Sequence, residues 1–90
     1  MITNYMIIGY GWRADFYYRI AKLLPERFSV CAGVLRTEER AKEVTHKEGV
    51  FATSDLDQAL ERKPDFAVLC VPRDVTKDYL VKLMKKGIPV

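Results

Sequence analysis

The sequence has 90 residues, of which 49% are hydrophobic and 30% charged, and its formal net charge is +3. This balance is typical of one small globular domain and excludes a disordered chain. No nucleic-acid partner is expected, because acids and bases are interleaved and the lysines near the carboxyl end are typical of a solvated helix end.

Neither a membrane anchor nor a secretion signal is predicted. The longest uncharged run, Met1 to Trp12, is too short to cross a bilayer and has no basic segment before it. Cys31 and Cys70 both lie in apolar, strand-like runs, where thiols behave as small buried groups in a reducing compartment. We therefore expect a cytoplasmic protein with two free thiols and no membrane partner.

Apolar runs that suit buried strands alternate along the chain with amphipathic segments that suit helices. We predict strands at residues 5–8, 28–35, 50–52, 66–71 and 88–90, and helices at residues 14–24, 38–47, 55–62 and 74–86. Pro25 ends the first helix, and Thr37 is the expected N-cap of the second. Asp55 and Gln58 have the spacing of a capping box at the third, and Gly87 follows the fourth as its C′ residue.

The alternation of strands and helices predicts the topology of the chain. Short connections demand parallel strands joined by right-handed crossovers. The expected fold class is α/β, a doubly wound, Rossmann-like parallel sheet in the strand order 3-2-1-4-5, with residues 1–90 as one domain. On the first helix, the side chains expected to face the core are Phe16, Tyr17, Ile20, Ala21 and Leu24.

A glycine motif joins the first strand to the first helix. Residues 9–14, Gly-Tyr-Gly-Trp-Arg-Ala, have the Gly-x-Gly-x-x-Ala spacing of dinucleotide-binding turns in the required strand-to-helix context. Gly9 permits the tight turn, Gly11 lets a pyrophosphate approach the backbone, and Ala14 lets the helix lie close to the strand. Tyr10, Trp12 and Arg13 are expected to border the same cofactor, at a helix N-terminus that favours phosphate. The alternative for the two aromatic side chains is contact with a partner domain. The alternative is a glycine turn that binds nothing.

The end of the second strand bears on the choice of cofactor. An NAD-binding fold needs a carboxylate there for the ribose hydroxyls, but the sequence has Val34-Leu35-Arg36-Thr37. Leu35 cannot bind a diol, whereas Arg36 and Thr37 could hold a 2′-phosphate. The prediction is therefore NADP, with NAD possible. The alternatives are weak cofactor binding and an Arg36 that is only an exposed loop residue.

The segment after the fourth strand lies at the edge of the sheet where ligands of open α/β folds bind. Val71, Pro72 and Arg73 are therefore further candidate cofactor contacts, and Asp74 is interpreted as a helix N-cap. No catalytic triad, metal cluster or pair of catalytic carboxylates is found in the sequence.

Four stretches together resemble one family along essentially the whole chain. They are IIGYGWRA, VLRTEERAKE, TSDLDQALERKPDFAVLCVP and LMKKGIPV. They are similar to the N-terminal domain of the glucose-fructose oxidoreductase, inositol dehydrogenase and MocA family. The resemblance implies an NAD(P)-dependent dehydrogenase of sugars or cyclitols, with a second domain that binds substrate and often mediates oligomerisation.

The chain departs from the family pattern in three places. Leu35 stands where the family often has aspartate, and Thr76 stands at the place of a family histidine. The family's Glu-Lys-Pro motif, whose lysine helps to position substrate, would lie just past Val90. The resemblance therefore implies that the sequence stops before the second domain.

The expected function is that of a cofactor-binding module of an oxidoreductase acting on a sugar, polyol or related small molecule. Residues 1–90 are expected to be inactive by themselves, with no catalytic residue, and to reach substrate only through the second domain. We expect self-association through the sheet edge at residues 88–90 or through the surface that this domain would cover. The alternatives are a non-catalytic nucleotide-sensing or interaction domain and a CoA-type binding domain.

Overall fold

The computed structural model describes residues 2–71 and 73–90, with the side chains of residues 73 and 74 outside the description. Strands and helices alternate throughout. They are β1 (Thr3–Gly9), α1 (Trp12–Leu23), β2 (Phe28–Val34), α2 (Glu38–Glu48), β3 (Ala52–Thr53), α3 (Leu56–Leu60), β4 (Phe66–Cys70) and α4 (Arg73–Lys85). No helix within these ranges is long and apolar enough to cross a membrane.

The strands form one parallel sheet in the order β3-β2-β1-β4, which confirms the Rossmann-like α/β fold. Residue Ile8 of β1 pairs with Val34 of β2, and Gly9 pairs with Cys70 of β4. These pairings bring the carboxyl ends of three neighbouring strands to one edge of the sheet, where open α/β folds bind their ligands.

The predicted order 3-2-1-4-5 includes a fifth strand at residues 88–90. This part of the prediction is wrong, because residues 88–90 are not in a strand. They nevertheless follow the expected course, since the Ala67 amide of β4 donates a hydrogen bond of 2.8 Å to the Pro89 carbonyl. Proline has no amide hydrogen and cannot donate to a ladder. Gly87, at a φ of +72°, ends α4 as its sequence position predicted.

Helices cover both faces of the sheet, so the fold is doubly wound. The core on one face combines Tyr5 and Ile7 of β1 with Ala14 and Tyr18 of α1 and Ala41 and Val44 of α2. The core on the other face combines Met6 and Ile8 of β1 with Ala59 of α3 and Leu83 of α4. Successive side chains of a strand point to opposite faces, and β1 is apolar on both because both are covered.

Helix α1 packs on the sheet through a stripe that only partly matches the expected one, because Tyr17 and Ala21 pack against the core as predicted. Ala14 and Tyr18 are buried, whereas Phe16 is 59% exposed and Leu24, just after the helix, is 39% exposed. Ala14 and Tyr18 are four residues apart and share one face, while Phe16 lies about 200° around the helix from Ala14. The prediction that Phe16 and Leu24 face the core is therefore wrong.

Side-chain hydrogen bonds at the amino ends of α2 and α3 test the capping predictions. The Thr37 hydroxyl accepts a hydrogen bond of 3.2 Å from the Arg40 amide, which confirms the N-cap of α2. Asp55 likewise accepts from the Asp57 amide at 2.9 Å. The capping box with Gln58 is wrong, because the Thr53 hydroxyl donates to Gln58 and itself accepts from the Asp55 amide.

Candidate functional site

A cleft of about 440 Å³ opens at the edge of the sheet where the carboxyl ends of the strands meet. Its lining residues are Gly9, Tyr10, Val34, Leu35, Arg36, Thr37, Arg40, Ser54, Cys70, Val71, Val75 and Tyr79. The cleft has the volume of a typical small-molecule site and lies where dinucleotides bind in Rossmann-like folds.

The glycine turn forms one wall of the cleft, and its two glycines are needed for different reasons. Gly9 has a φ of +103°, and a Cβ there would lie 2.1 Å from the Cys70 carbonyl oxygen. Gly11 has a φ of +133°, and a Cβ there would meet nothing within 4 Å. The end of β4 therefore excludes a side chain at Gly9, whereas the space beside Gly11 is open to a ligand.

The amino end of α1 follows this open space. Gly11 is the N-cap and has no side chain with which to cap the first turn. The first backbone amides of a helix lack partners within the helix and attract phosphate. Ala14 is completely buried against the sheet, so its side chain packs and only its backbone is near the turn. These features fit a pyrophosphate group at the turn.

The opposite wall begins where β2 ends. Arg36 and Arg40 line the cleft and are exposed, and Thr37 between them is the N-cap of α2. No aspartate or glutamate occurs among the described lining residues. The carboxylate of Glu38 is engaged instead by the backbone amide of Ser54, at 3.0 Å, and by its hydroxyl. This end of the cleft therefore has two guanidinium groups and no facing carboxylate among the described lining residues.

The thiols do not contribute an ionised group to the cleft. Burial raises the pKa of Cys70, although the nearby charge of Arg13 partly opposes this effect. Burial also raises the pKa of Cys31, and both thiols are free, as predicted. Among the side chains that the structure describes, no group could hold a metal ion.

The structure brings together five of the predicted site residues as lining of one cleft: Gly9, Tyr10, Arg36, Thr37 and Val71. Gly11, Trp12, Arg13 and Ala14 continue from that lining into α1, and the indole of Trp12 is 82% exposed. Pro72 and the side chains of Arg73 and Asp74 lie outside the described residues. Whether any of these residues contacts a cofactor stays a prediction.

Sequence reasoning missed Arg40, Ser54, Val75 and Tyr79 as lining residues. Ser54 directly follows β3, so applying the rule about carboxyl ends to every strand would have found it. Arg40 lies three residues after the N-cap Thr37, and this spacing places it on the same side of the helix start. Val75 and Tyr79 are four residues apart on α4, but nothing in the sequence indicated which face of that helix meets the cleft.

A buried carboxylate behind the glycine turn was missed as well. Glu48, the last residue of α2, accepts a hydrogen bond of 3.0 Å from the Tyr10 hydroxyl and one of 2.6 Å from Lys22 Nζ. Burial tends to raise the pKa of the Glu48 carboxyl, but the hydrogen bonds from Lys22 and Tyr10 lower it below the ordinary glutamate value. Glu48 is therefore ionised at neutral pH, and its carboxylate accepts the hydrogen bond of the Tyr10 hydroxyl on the side of the glycine turn away from the cleft.

Comparison with known proteins gives a match along nearly the whole chain. The family model of GFO_IDH_MocA, an oxidoreductase family with an NAD-binding Rossmann fold, matches residues 3–90. No curated protein gives a significant match to the sequence.

Three solved structures share the fold at low sequence identity. GenD2 from gentamicin A biosynthesis, in complex with NAD, has a TM-score of 0.82 at 20% identity, covering 96% of this chain and 25% of that one. The WlbA dehydrogenase from Chromobacterium violaceum, in complex with NADH and UDP-GlcNAcA, has a TM-score of 0.82 at 14% identity, covering 96% and 25%. The UDP-N-acetylglucosamine 3-dehydrogenase GnnA from Acidithiobacillus ferrooxidans has a TM-score of 0.81 at 18% identity, covering 98% and 28%. This chain thus spans about a quarter of the length of each structure.

Proposed function

The chain belongs to the Gfo/Idh/MocA oxidoreductase family through its NAD-binding Rossmann domain, and we propose that its cleft prefers the phosphorylated dinucleotide NADP. Residues 1–90 would then form the cofactor-binding domain of a dehydrogenase that acts on a sugar, polyol or related small molecule. The observation that carries the cofactor preference is the pair of arginines at the end of β2, with no carboxylate among the described lining residues.

The glycine turn would hold the pyrophosphate of the dinucleotide. The space beside Gly11 and the amino end of α1 suit a phosphate that approaches the backbone closely. From there, the cleft continues to Leu35, Arg36 and Arg40, where the adenosine ribose would lie.

The arginines favour a 2′-phosphate over a free ribose hydroxyl. NAD recognition uses a carboxylate acceptor at this place, which would also repel a phosphate. The chain has Leu35 there, while Arg36 offers planar donors that suit bidentate phosphate binding. GenD2 and WlbA were crystallised with NAD and NADH, so the proposed preference rests on this chain's own residues.

A bound nicotinamide cofactor supplies hydride transfer, and the protein's part is binding and orientation. Sugar derivatives are proposed as the substrate class because GnnA is a UDP-N-acetylglucosamine dehydrogenase and WlbA was crystallised with UDP-GlcNAcA. The described lining contains no lysine or histidine to move the substrate proton. We therefore propose that these 90 residues alone do not oxidise sugars or polyols, which absorbance of the reduced cofactor would test.

Calorimetric titration of NADPH and NADH at one salt concentration tests the cofactor preference. A charge-assisted hydrogen bond contributes about 1.5–3 kcal/mol, so the wild-type chain should bind NADPH roughly ten- to a hundredfold more tightly. Arg36→Ala should remove most of this preference and leave NADH affinity nearly unchanged. Equal affinities in the wild type, or a preference that survives in the variant, would contradict the proposal.

Arg27→Ala is the matched control for loss of one positive charge. Arg27 is exposed in the turn before β2, about 23 Å of strand away from Arg36. We expect the control to keep the NADPH preference. A CoA titration in the same series separates the alternative function, since CoA binding tighter than NADPH binding would favour a CoA-type domain.

We also propose that the chain self-associates. Val81 and Met84 of α4 are 42% and 68% exposed, and Val90 is 55% exposed. Exposed apolar side chains favour association with another chain. Light scattering should show a species larger than the monomer at high protein concentration, and a monomer throughout the concentration range would rule this out.

A further inference from the structure

The glycine turn has one side-chain anchor that the cleft itself does not explain. Tyr10 stands between Gly9 and Gly11, and its hydroxyl donates to Glu48 Oε2 at 3.0 Å. The other carboxylate oxygen of Glu48 receives Lys22 Nζ of α1 at 2.6 Å. The carboxylate thus connects the turn, the end of α2 and the last turn of α1.

Glu48 is in an electrostatically unfavourable position. Its side chain is only 2% exposed, and a buried carboxylate loses its hydration. It is also the last residue of α2, where the helix dipole repels negative charge. Hydrogen bonds from Lys22 and Tyr10 compensate for both effects, and without them an apolar residue would suit this position better. A charged residue thus occupies a position that would otherwise favour an apolar one, and two hydrogen bonds offset the unfavourable electrostatics. This arrangement indicates a role for the contact between Glu48 and Tyr10.

The conformational freedom of the turn makes that contact important. Gly9 and Gly11 both have positive φ angles. Glycine populates positive φ about as readily as negative φ, so neither residue is confined to the conformation of the turn. With a glycine on each side of Tyr10, the turn can adopt many other conformations. Ordering it into the one conformation that binds phosphate therefore costs conformational entropy. The ring of Tyr10 also packs near Tyr18 of α1, with centroids 6.1 Å apart.

We propose that Glu48 is a positioning residue for the phosphate site, which it preorganises by holding Tyr10 between the two glycines. The inference rests on the proposed function, since the phosphates at this turn are those of the dinucleotide. Glu48 acts through Tyr10 and does not itself line the cleft. Its loss would lower the fraction of molecules in which the turn is ready to bind, and the apparent dissociation constant rises by the same factor.

The test uses the 90-residue chain with Tyr10→Phe, Glu48→Ala and the double variant. Two readouts apply: the NADPH dissociation constant by calorimetry, and the ¹⁵N order parameters of the Gly9 and Gly11 amides in the free protein. If the ready fraction falls to between about a third and a tenth, NADPH binding weakens roughly three- to tenfold. The order parameters of both glycines should fall, and the double variant should be no worse than either single one.

Two further variants separate positioning from stability alone. Tyr5→Phe removes another part-buried hydroxyl, which lies on β1 four residues before Gly9 and donates to the Tyr17 carbonyl of α1. This variant should leave NADPH affinity and both order parameters unchanged. Glu48→Gln keeps an acceptor oxygen for Tyr10 and should retain more affinity than Glu48→Ala. These comparisons matter because removing a partner of a buried charge also lowers the free energy of unfolding.

The outcomes distinguish this inference from the proposed function. If the wild type binds NADPH and Tyr10→Phe binds it equally well with unchanged order parameters, the inference is overturned and the proposed function stands. If the wild type binds no dinucleotide, the proposed function fails, and with it the assignment of Glu48 to a phosphate site. Lowered order parameters together with weakened NADPH binding, in both Tyr10→Phe and Glu48→Ala, support the inference.

Discussion

Replacing Gly9 by alanine adds a methyl group where the end of β4 leaves no room for one. The added Cβ would lie 2.1 Å from the carbonyl oxygen of Cys70 and 2.7 Å from its carbonyl carbon. Both are backbone atoms of a strand that pairs with β1 at this point. The clash cannot be relieved by a side-chain rotation, so β1 and β4 must move apart.

Two effects set the size of the loss. A non-glycine residue in a sparsely populated φ region costs roughly 1–3 kcal/mol, and forcing an extra methyl group into packed structure costs about 1–3 kcal/mol more. Gly9→Ala should therefore lower the free energy of unfolding by about 2–6 kcal/mol, a large part of the ~5–15 kcal/mol of a typical domain. Gly11→Ala suffers only the first effect, because its Cβ meets nothing within 4 Å.

Urea denaturation followed by circular dichroism measures both variants against the wild type. We expect Gly11→Ala to unfold at a midpoint well above that of Gly9→Ala, while its added methyl group occupies the proposed phosphate position and weakens NADPH binding. Equal midpoints for the two variants would refute the claim that contact with β4 is the reason for glycine at position 9.

Three further predictions concern the buried polar groups. Within the described residues the buried Tyr18 hydroxyl has no hydrogen-bond partner, so Tyr18→Phe should leave the thermal midpoint unchanged or raise it. Because the folded-state pKa of Glu48 is lowered, its contribution to the free energy of unfolding should be complete above the ordinary pKa of 4.5 and disappear as the pH falls through the folded pKa. In urea titrations from pH 7 to 3, the unfolding free energies of wild type and Glu48→Gln should therefore converge at the acid end. Because burial raises the pKa of Cys31 and Cys70, alkylation followed by mass spectrometry should be slower at pH 8 in the native chain than in urea, and equal rates would contradict this account.

Much of the fold could be predicted because it depends on local patterns. Continuous apolar runs identified the buried strands, and the alternation with helices required a parallel, doubly wound sheet. Thr37 and Gly87 were recognised as helix ends because capping chemistry depends on residues only a few positions away. The segment at residues 88–90 was predicted wrongly, since an apolar composition does not show whether enough backbone groups pair to form a strand.

The candidate site was predictable only where one short segment carries the signal. The glycine turn and the residues after β2 were found because their spacing follows directly from a strand end and a helix start. Arg40 and Ser54 escaped notice since they reach the cleft from different elements. Their proximity depends on how α2 and β3 are placed beside the sheet.

The sequence by itself determined the order of strands and helices, the position of the glycine turn and the lack of a carboxylate at residues 35–37, directly after β2. These features depend on side-chain chemistry and on periodicity over a few residues. Only the tertiary structure decided that β4 forbids a side chain at Gly9, that Tyr18 rather than Phe16 faces the sheet, and that Glu48 meets Tyr10. Tyr10 and Glu48 are 38 positions apart, and a contact at that separation exists only once two helices have packed on the same face of the sheet.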